Sequence, residues 1–113
     1  MQSPDPIYLA DILQAAEQIS SFLHGVGKGS FAASDLLQSA VVWQIEIIGK
    51  AAKRLSEETR LAHPEIPWGK LAGMGDILVH AYDDVDVSDV WSTAIIAIPD
   101  VARKINAMMQ PET

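Results

Sequence analysis

Ser34-Asp-Leu-Leu-Gln-Ser-Ala-Val-Val-Trp-Gln-Ile-Glu-Ile-Ile-Gly-Lys-Ala-Ala-Lys-Arg-Leu55 is the stretch that decides the fold. Leu37, Val41, Ile45, Ile48, Ala52 and Leu55 recur through it at steps of three and four, the period of one helical face. Leu36, Ala40, Trp43, Ile47 and Ala51 trace a second apolar line beside the first. A helix apolar on two sides needs two partners, its own bundle and a further surface such as another subunit. Ser34 or Ser30 supplies the N-cap oxygen. Gly49 inside the helix costs ~1 kcal/mol against alanine, which marks either a close helix approach or a tolerated glycine.

Upstream, a first helix opens near Pro4 to Pro6 and runs to about His24, with Ile7, Ile12, Ala15, Ala16, Ile19, Phe22 and Leu23 at helical spacing. Gly25, Gly27 and Gly29 end it in a flexible turn. That turn lacks the Gly-Lys-Ser/Thr order of a phosphate-cradling loop. Downstream, Ser56-Glu-Glu-Thr59 opens a further helical turn before the break at His63-Pro64. Pro67 pre-sets another helix start, anchored by Trp68 and continuing to about Asp83. Asp86 or Ser88 caps the last helix, whose face is Val90, Trp91, Ala94, Ile95, Ile98, Ala102, Ile105 and Met109. Pro99 lies within that pattern and predicts a kink or a split. No stretch alternates with period two, so the expectation is one all-α domain over 1–113, a bundle of four principal helices.

The whole chain suits that architecture. Its 113 residues are 49% hydrophobic but only 6% aromatic, an Ala/Ile/Leu/Val palette typical of helical bundles. No cysteine is present, which excludes a disulfide framework, a thiolate zinc site and a thiol nucleophile. The stretch MQSPDPIYLAD lacks a basic region, and no apolar run reaches the ~18 residues of a spanning helix. These features predict a cytoplasmic protein without a membrane partner. A net charge of −7 argues against a broad basic face for nucleic acid, so any RNA chemistry has to be local or built by an assembly.

Among candidate chemical groups, His24 reads as a solvated helix-end residue, and His63 before a proline has no assigned role. His80 is different, because Asp76 and Asp84 lie four residues to either side and share its helical face. An exposed acid–His–acid line explains the pattern, and so does a general acid–base positioned by a neighbour. A metal site would need a second histidine or a converging carboxylate, and no metal or cofactor is expected. Asp83, Asp84, Asp86 and Asp89 lack the central glycine and closing glutamate of a calcium loop and fit a helix N-terminus better. Lys50, Lys53 and Arg54 form the one basic cluster, either complementing a helix C-terminus or offering a small phosphate-contact patch.

Several segments, in order, resemble a known family. They are Glu46-Ile-Ile-Gly-Lys-Ala-Ala-Lys-Arg-Leu-Ser56, His63-Pro-Glu-Ile-Pro-Trp-Gly-Lys-Leu-Ala-Gly-Met74, Leu78-Val-His-Ala-Tyr82 and Val85-Asp-Val-Ser-Asp-Val-Trp91. Together they are similar to the HepT-like proteins of the HEPN superfamily, the toxin half of HepT–MntA toxin–antitoxin systems. The resemblance is strongest between residues 45 and 95. It implies a four- to five-helix up-and-down bundle paired into a two-fold homodimer, acting as a metal-independent endoribonuclease on RNA, including tRNA. The family signature is Arg-x4-His-x-Tyr, which here falls on the helix after Pro67. By that resemblance His80 activates the ribose 2′-hydroxyl or protonates the leaving oxygen; apart from the resemblance, Asp76 one turn before it is a candidate supporting group, and Glu46 is either another or an ordinary surface glutamate. Tyr82 takes the place of the tyrosine that a nucleotidyltransferase antitoxin modifies with AMP, which would put an anionic phosphate where RNA must sit.

One position departs from the pattern. Gly75 stands five residues before His80, where the family has its arginine, and a glycine carries no phosphate clamp. Lys70 lies more than a turn too early to replace it. The expectation is a weak or inactive nuclease as the chain stands. The competing expectation is a non-catalytic helical dimer that binds a nucleotidyltransferase or a nucleotide.

Overall fold

In the computed structural model, residues 3–80 and 86–110 are described, with residues 75–80 described as helix backbone only. Among the described residues seven α-helices follow one another: α1 (Asp5–Phe22), α2 (Lys28–Ala32), α3 (Asp35–Arg54), α4 (Glu57–Ala62), α5 (Trp68–His80), α6 (Val87–Ser92) and α7 (Ile98–Met109). A π-helical turn over Thr93–Ala97 joins α6 to α7 in one continuous rod. The long elements α1, α3, α5 and this rod are the four principal helices of the bundle, and no strand occurs among the described residues.

Helix α3 is the axis, with α1 packed on one flank and α5 on the other. Val41, Ile45, Ile48, Ala52 and Leu55 are buried along it, as their spacing requires. Ser34 is its cap, its hydroxyl accepting the Leu37 N–H at 3.1 Å. Gly49 is buried among these core positions. Of the second apolar line, Ala51 is buried and Ile47 packs on the core, while Leu36 and Trp43 remain 80% and 59% exposed, so only its first half is left uncovered by the protein's own bundle.

The glycine-rich turn differs from its reading as a flexible loop. Gly25, at φ 74°, turns the chain in the left-handed region that glycine adopts without strain. The chain then forms α2, which drives Phe31 into the core at 0% exposure. The Gln38 side-chain amide donates to the Phe31 and Ala32 carbonyls at 3.0 and 3.1 Å, closing the end of α2 against α3. The Phe31 ring meets Trp91 at 5.3 Å between centroids, which fixes α6 over the start of α3. On α1, Ile7 is exposed and Phe22 half-buried, while Leu9 takes the core position.

Asp5 is a buried charge at the opposite corner. Its carboxylate accepts the Ser56 N–H at 3.0 Å and the Ser56 and Thr59 hydroxyls at 2.5 Å each. These bonds, the Ser56 and Thr59 hydroxyls first, hold the carboxyl below its usual range against the opposing effect of burial. Ser56 also caps α4, so one carboxylate ties the start of α1 to the corner between α3 and α4.

Pro99 is accommodated without breaking the rod. A proline inside a helix removes a hydrogen bond and crowds the preceding turn, and the wider π-turn immediately before it relieves that crowding. Val101 and Ile105 continue the buried row of Val90, Ala94 and Ile98, whereas Ile95 and Met109 are exposed and Ala102 half-buried. Asp86 is the α6 cap, accepting the Ser88 and Asp89 N–H groups at 2.9 and 3.3 Å. No helix among the described residues is long and apolar enough to cross a membrane.

Candidate active-site helix

Helix α5 starts beside α4, where the Trp68 indole N–H donates to the His63 carbonyl at 2.9 Å. Trp68 and Leu71 are buried, so the first turns of α5 are fixed in the core. The helix then runs back along α3 toward the end where α6 covers α2. At 1.5 Å per residue, Trp68 and His80 are separated by about 18 Å along the axis.

Gly75, Asp76 and His80 therefore lie on the last two turns of a helix anchored at its other end. Their register is informative. Gly69, Gly73, Asp76 and His80 recur at steps of four, three and four, one row of the helix. Gly75 falls outside it, in the row that continues Trp68 and Leu71. Tyr82, Asp83 and Asp84 lie outside the described residues.

The structure brings Lys50, Lys53 and Arg54 together on the last turns of α3. The direction of α5 carries His80 away from them. Lys50 pairs with Glu46 at 3.1 Å, an i,i+4 pair on α3, and the Arg54 guanidinium lies 6.0 Å from the centre of the Tyr8 ring. Two of the three cations and Glu46 thus serve contacts within the helical scaffold. His24 is exposed, and His63 lies 3.4 Å from the Glu65 carboxylate.

A groove missed from the sequence follows the glycine row. Gly69, Lys70, Gly73 and Met74 form one wall, and Asp89, Ser92 and Thr93 form the other, enclosing about 560 Å³. That volume is in the range of small-ligand sites. The signal in the sequence was the 4-3-4 spacing of Gly69, Gly73, Asp76 and His80, which is masked when Gly73 and Gly75 are read as a pair.

Comparison with known proteins agrees with this architecture. The family model described as HepT-like, Ribonuclease HepT-like, matches residues 12–108. "Putative RNase TTE0752" of Caldanaerobacter subterraneus subsp. tengcongensis is 36% identical over 112 residues, 99% of each chain. "Probable ribonuclease HepT" of Thermococcus cleftensis is 39% identical over 101 residues, covering 89% of this chain and 92% of that protein. "Putative RNase MJ1216" of Methanocaldococcus jannaschii is 34% identical over 103 residues, 91% of this chain and 85% of that one. No solved structure gives a significant match. The chain belongs to the HepT-like ribonuclease family.

Proposed function

We propose that this protein is the ribonuclease half of a toxin–antitoxin pair, a homodimer that cleaves RNA without metal and is silenced by AMP transfer to Tyr82. The observation that carries this reading is the family match across residues 12–108 together with His80 at the end of α5, two residues before Tyr82. The relatives named as RNases support RNA as the substrate class.

In this reading the His80 imidazole takes the proton of a ribose 2′-hydroxyl. The 2′-oxygen bonds to the adjacent phosphorus, the P–O5′ bond breaks, and the leaving oxygen receives a proton from the partner protomer's copy of the same histidine or from water. The products are a 2′,3′-cyclic phosphate and a free 5′-hydroxyl. An arginine in the place of Gly75 would hold the scissile phosphate as charge builds on it. Without that clamp the chain retains the acid–base group and is a weak or inactive nuclease. The exposed Leu36 and Trp43 line of α3 supports pairing of two copies.

The net charge of −7 and Gly75 favour a second reading, a non-catalytic dimer that binds the nucleotidyltransferase or a nucleotide. A dimer doubles that charge to about −14, which repels RNA at long range. The test is total tRNA incubated with this chain and with Gly75→Arg, metal chelated. Cyclic-phosphate ends from Gly75→Arg support the nuclease. Intact tRNA with both, alongside tight nucleotidyltransferase binding, supports the second reading.

A further inference from the structure

Among the described residues, five of the eight cations have partners, namely Lys50 with Glu46, Arg54 with Tyr8, Arg103 and Lys104 with Asp100, and Lys53, while Lys28 stands exposed on α2 without a described one. Arg60 and Lys70 make no ion pair or side-chain hydrogen bond with a described residue. Both line open grooves that meet at one residue, Gly69. Arg60 borders a hollow of about 370 Å³ with Glu57, Leu61, Trp68 and Gly69, and Lys70 borders the α5–α6 groove. A continuous track therefore runs from Arg60 across Gly69 to Lys70 and Gly73.

The track points at the chemistry. Its floor, Gly69 and Gly73, begins the helical row that ends in His80, eleven residues and about 16 Å from Gly69. Neither glycine is required by the fold: a Cβ on either would meet no atom within 4 Å, and neither takes a positive φ. Leu61, 72% exposed, and half-buried Met74 offer apolar faces beside the cations, with the Ser92 and Thr93 hydroxyls opposite. Glu57 and Asp89 also line the track, so it is neutral overall in a chain of −7. Two cations without a described partner, set beside the apolar Leu61 and Met74 on the side of the helix row that leads to His80, offer counter-charges to backbone phosphates.

We propose that this track is a binding subsite for single-stranded RNA flanking the scissile nucleotide, with Lys70 and Arg60 taking successive backbone phosphates. The inference rests on the reading of the chain as an RNA-cleaving protein. It adds a substrate path that the Arg-x4-His-x-Tyr signature does not contain.

The test uses binding, so that it does not depend on cleavage. A labelled 2′-O-methyl single strand, which cannot be cut by 2′-hydroxyl attack, is titrated against the full chain at several salt concentrations. For single strands each phosphate contact contributes about 0.7 to the slope of log affinity against log salt. Lys70→Gln and Arg60→Gln should each lower that slope by about 0.7, and the double variant by about 1.4. Arg103→Gln on α7 removes the same charge elsewhere and should leave the slope unchanged. Gly69→Leu and Gly73→Leu should weaken binding at every salt concentration while the melting temperature holds or rises, because leucine is the better helix former. Equal slopes in the groove variants and Arg103→Gln overturn the proposal, as does failure of the parent chain to bind the strand. Leucine variants that lose self-association but keep RNA binding make the track a contact between copies instead. Slope changes without cleavage by Gly75→Arg leave the subsite standing and remove the nuclease. Cleavage with unchanged slopes does the reverse.

Discussion

Removing the Asp5 carboxylate should loosen the whole bundle, although it lies at a chain end where substitutions are usually mild. Asp5 is 6% exposed as a residue, and its carboxylate accepts three hydrogen bonds from Ser56 and Thr59 on a different part of the chain. A hydrogen bond to a charged group contributes about 1.5–3 kcal/mol, but the contributions are not additive. In Asp5→Ala the two hydroxyls, already 3.2 Å apart, can partly satisfy one another. The net loss works out at about 2–4 kcal/mol, a large share of the 5–15 kcal/mol typical of a domain. The melting temperature should fall by about 10–20 °C, followed by circular dichroism during heating. The pH dependence has a defined sign. The folded carboxyl titrates below the unfolded one, so its contribution is complete above the unfolded value of about 4 and is lost as pH falls through the folded value. The gap between the parent and Asp5→Asn should be constant from pH 5 to 7 and close below about pH 4. A double-mutant cycle with Thr59→Val should show coupling above about 1 kcal/mol. An Asp5→Ala loss under about 0.5 kcal/mol, or a gap that widens in acid, refutes the reasoning.

Other expectations follow from single features. Phe31→Ala empties a fully buried site against Trp91 and should cost about 3–5 kcal/mol in urea unfolding. If the proposed homodimer pairs through α3, Leu36→Glu with Trp43→Glu, both at exposed positions, should leave helicity and melting of the subunit intact and give a monomer in sedimentation velocity where the parent chain gives a dimer. The Glu46–Lys50 pair, with Lys50 62% exposed, should contribute no more than about 0.5 kcal/mol, so Glu46→Gln should barely move the urea midpoint.

The long helices were legible because burial writes a period into them. Val41, Ile45 and Ile48 fall on one helical face, and of the cap candidates Ser34 or Ser30, Asp86 or Ser88, and Ser56, the structure uses Ser34, Asp86 and Ser56. Two features were hidden because their causes are not local. Phe31 lies just past Gly25, Gly27 and Gly29, and one wall of its buried site is Trp91, sixty residues away in sequence. Asp5 reads as an ordinary first-turn acid, since its partners are brought to it by the α3–α4 corner. At the site, the spacing of His80 and Tyr82 was visible in the chain, whereas the groove beside Gly69 needed α6 to supply its second wall. Lys70, dismissed as a substitute for the missing arginine, gains its place from that wall and not from its distance to His80.

The central claim is that this helix carries RNA-cleaving chemistry centred on His80 and disarmed at position 75. The decisive measurement is the initial rate of end-labelled tRNA cleavage, with excess chelator, for the parent chain, Gly75→Arg, and Gly75→Arg with His80→Ala. Because position 75 shares a helical row with buried Trp68 and Leu71, each protein is first shown to be folded by circular dichroism. Gly75→Arg should cut at least about 100-fold faster than the parent, and the added His80→Ala should abolish the gain. A folded Gly75→Arg protein that cuts no faster than the parent, or one whose cleavage survives His80→Ala, would contradict the account.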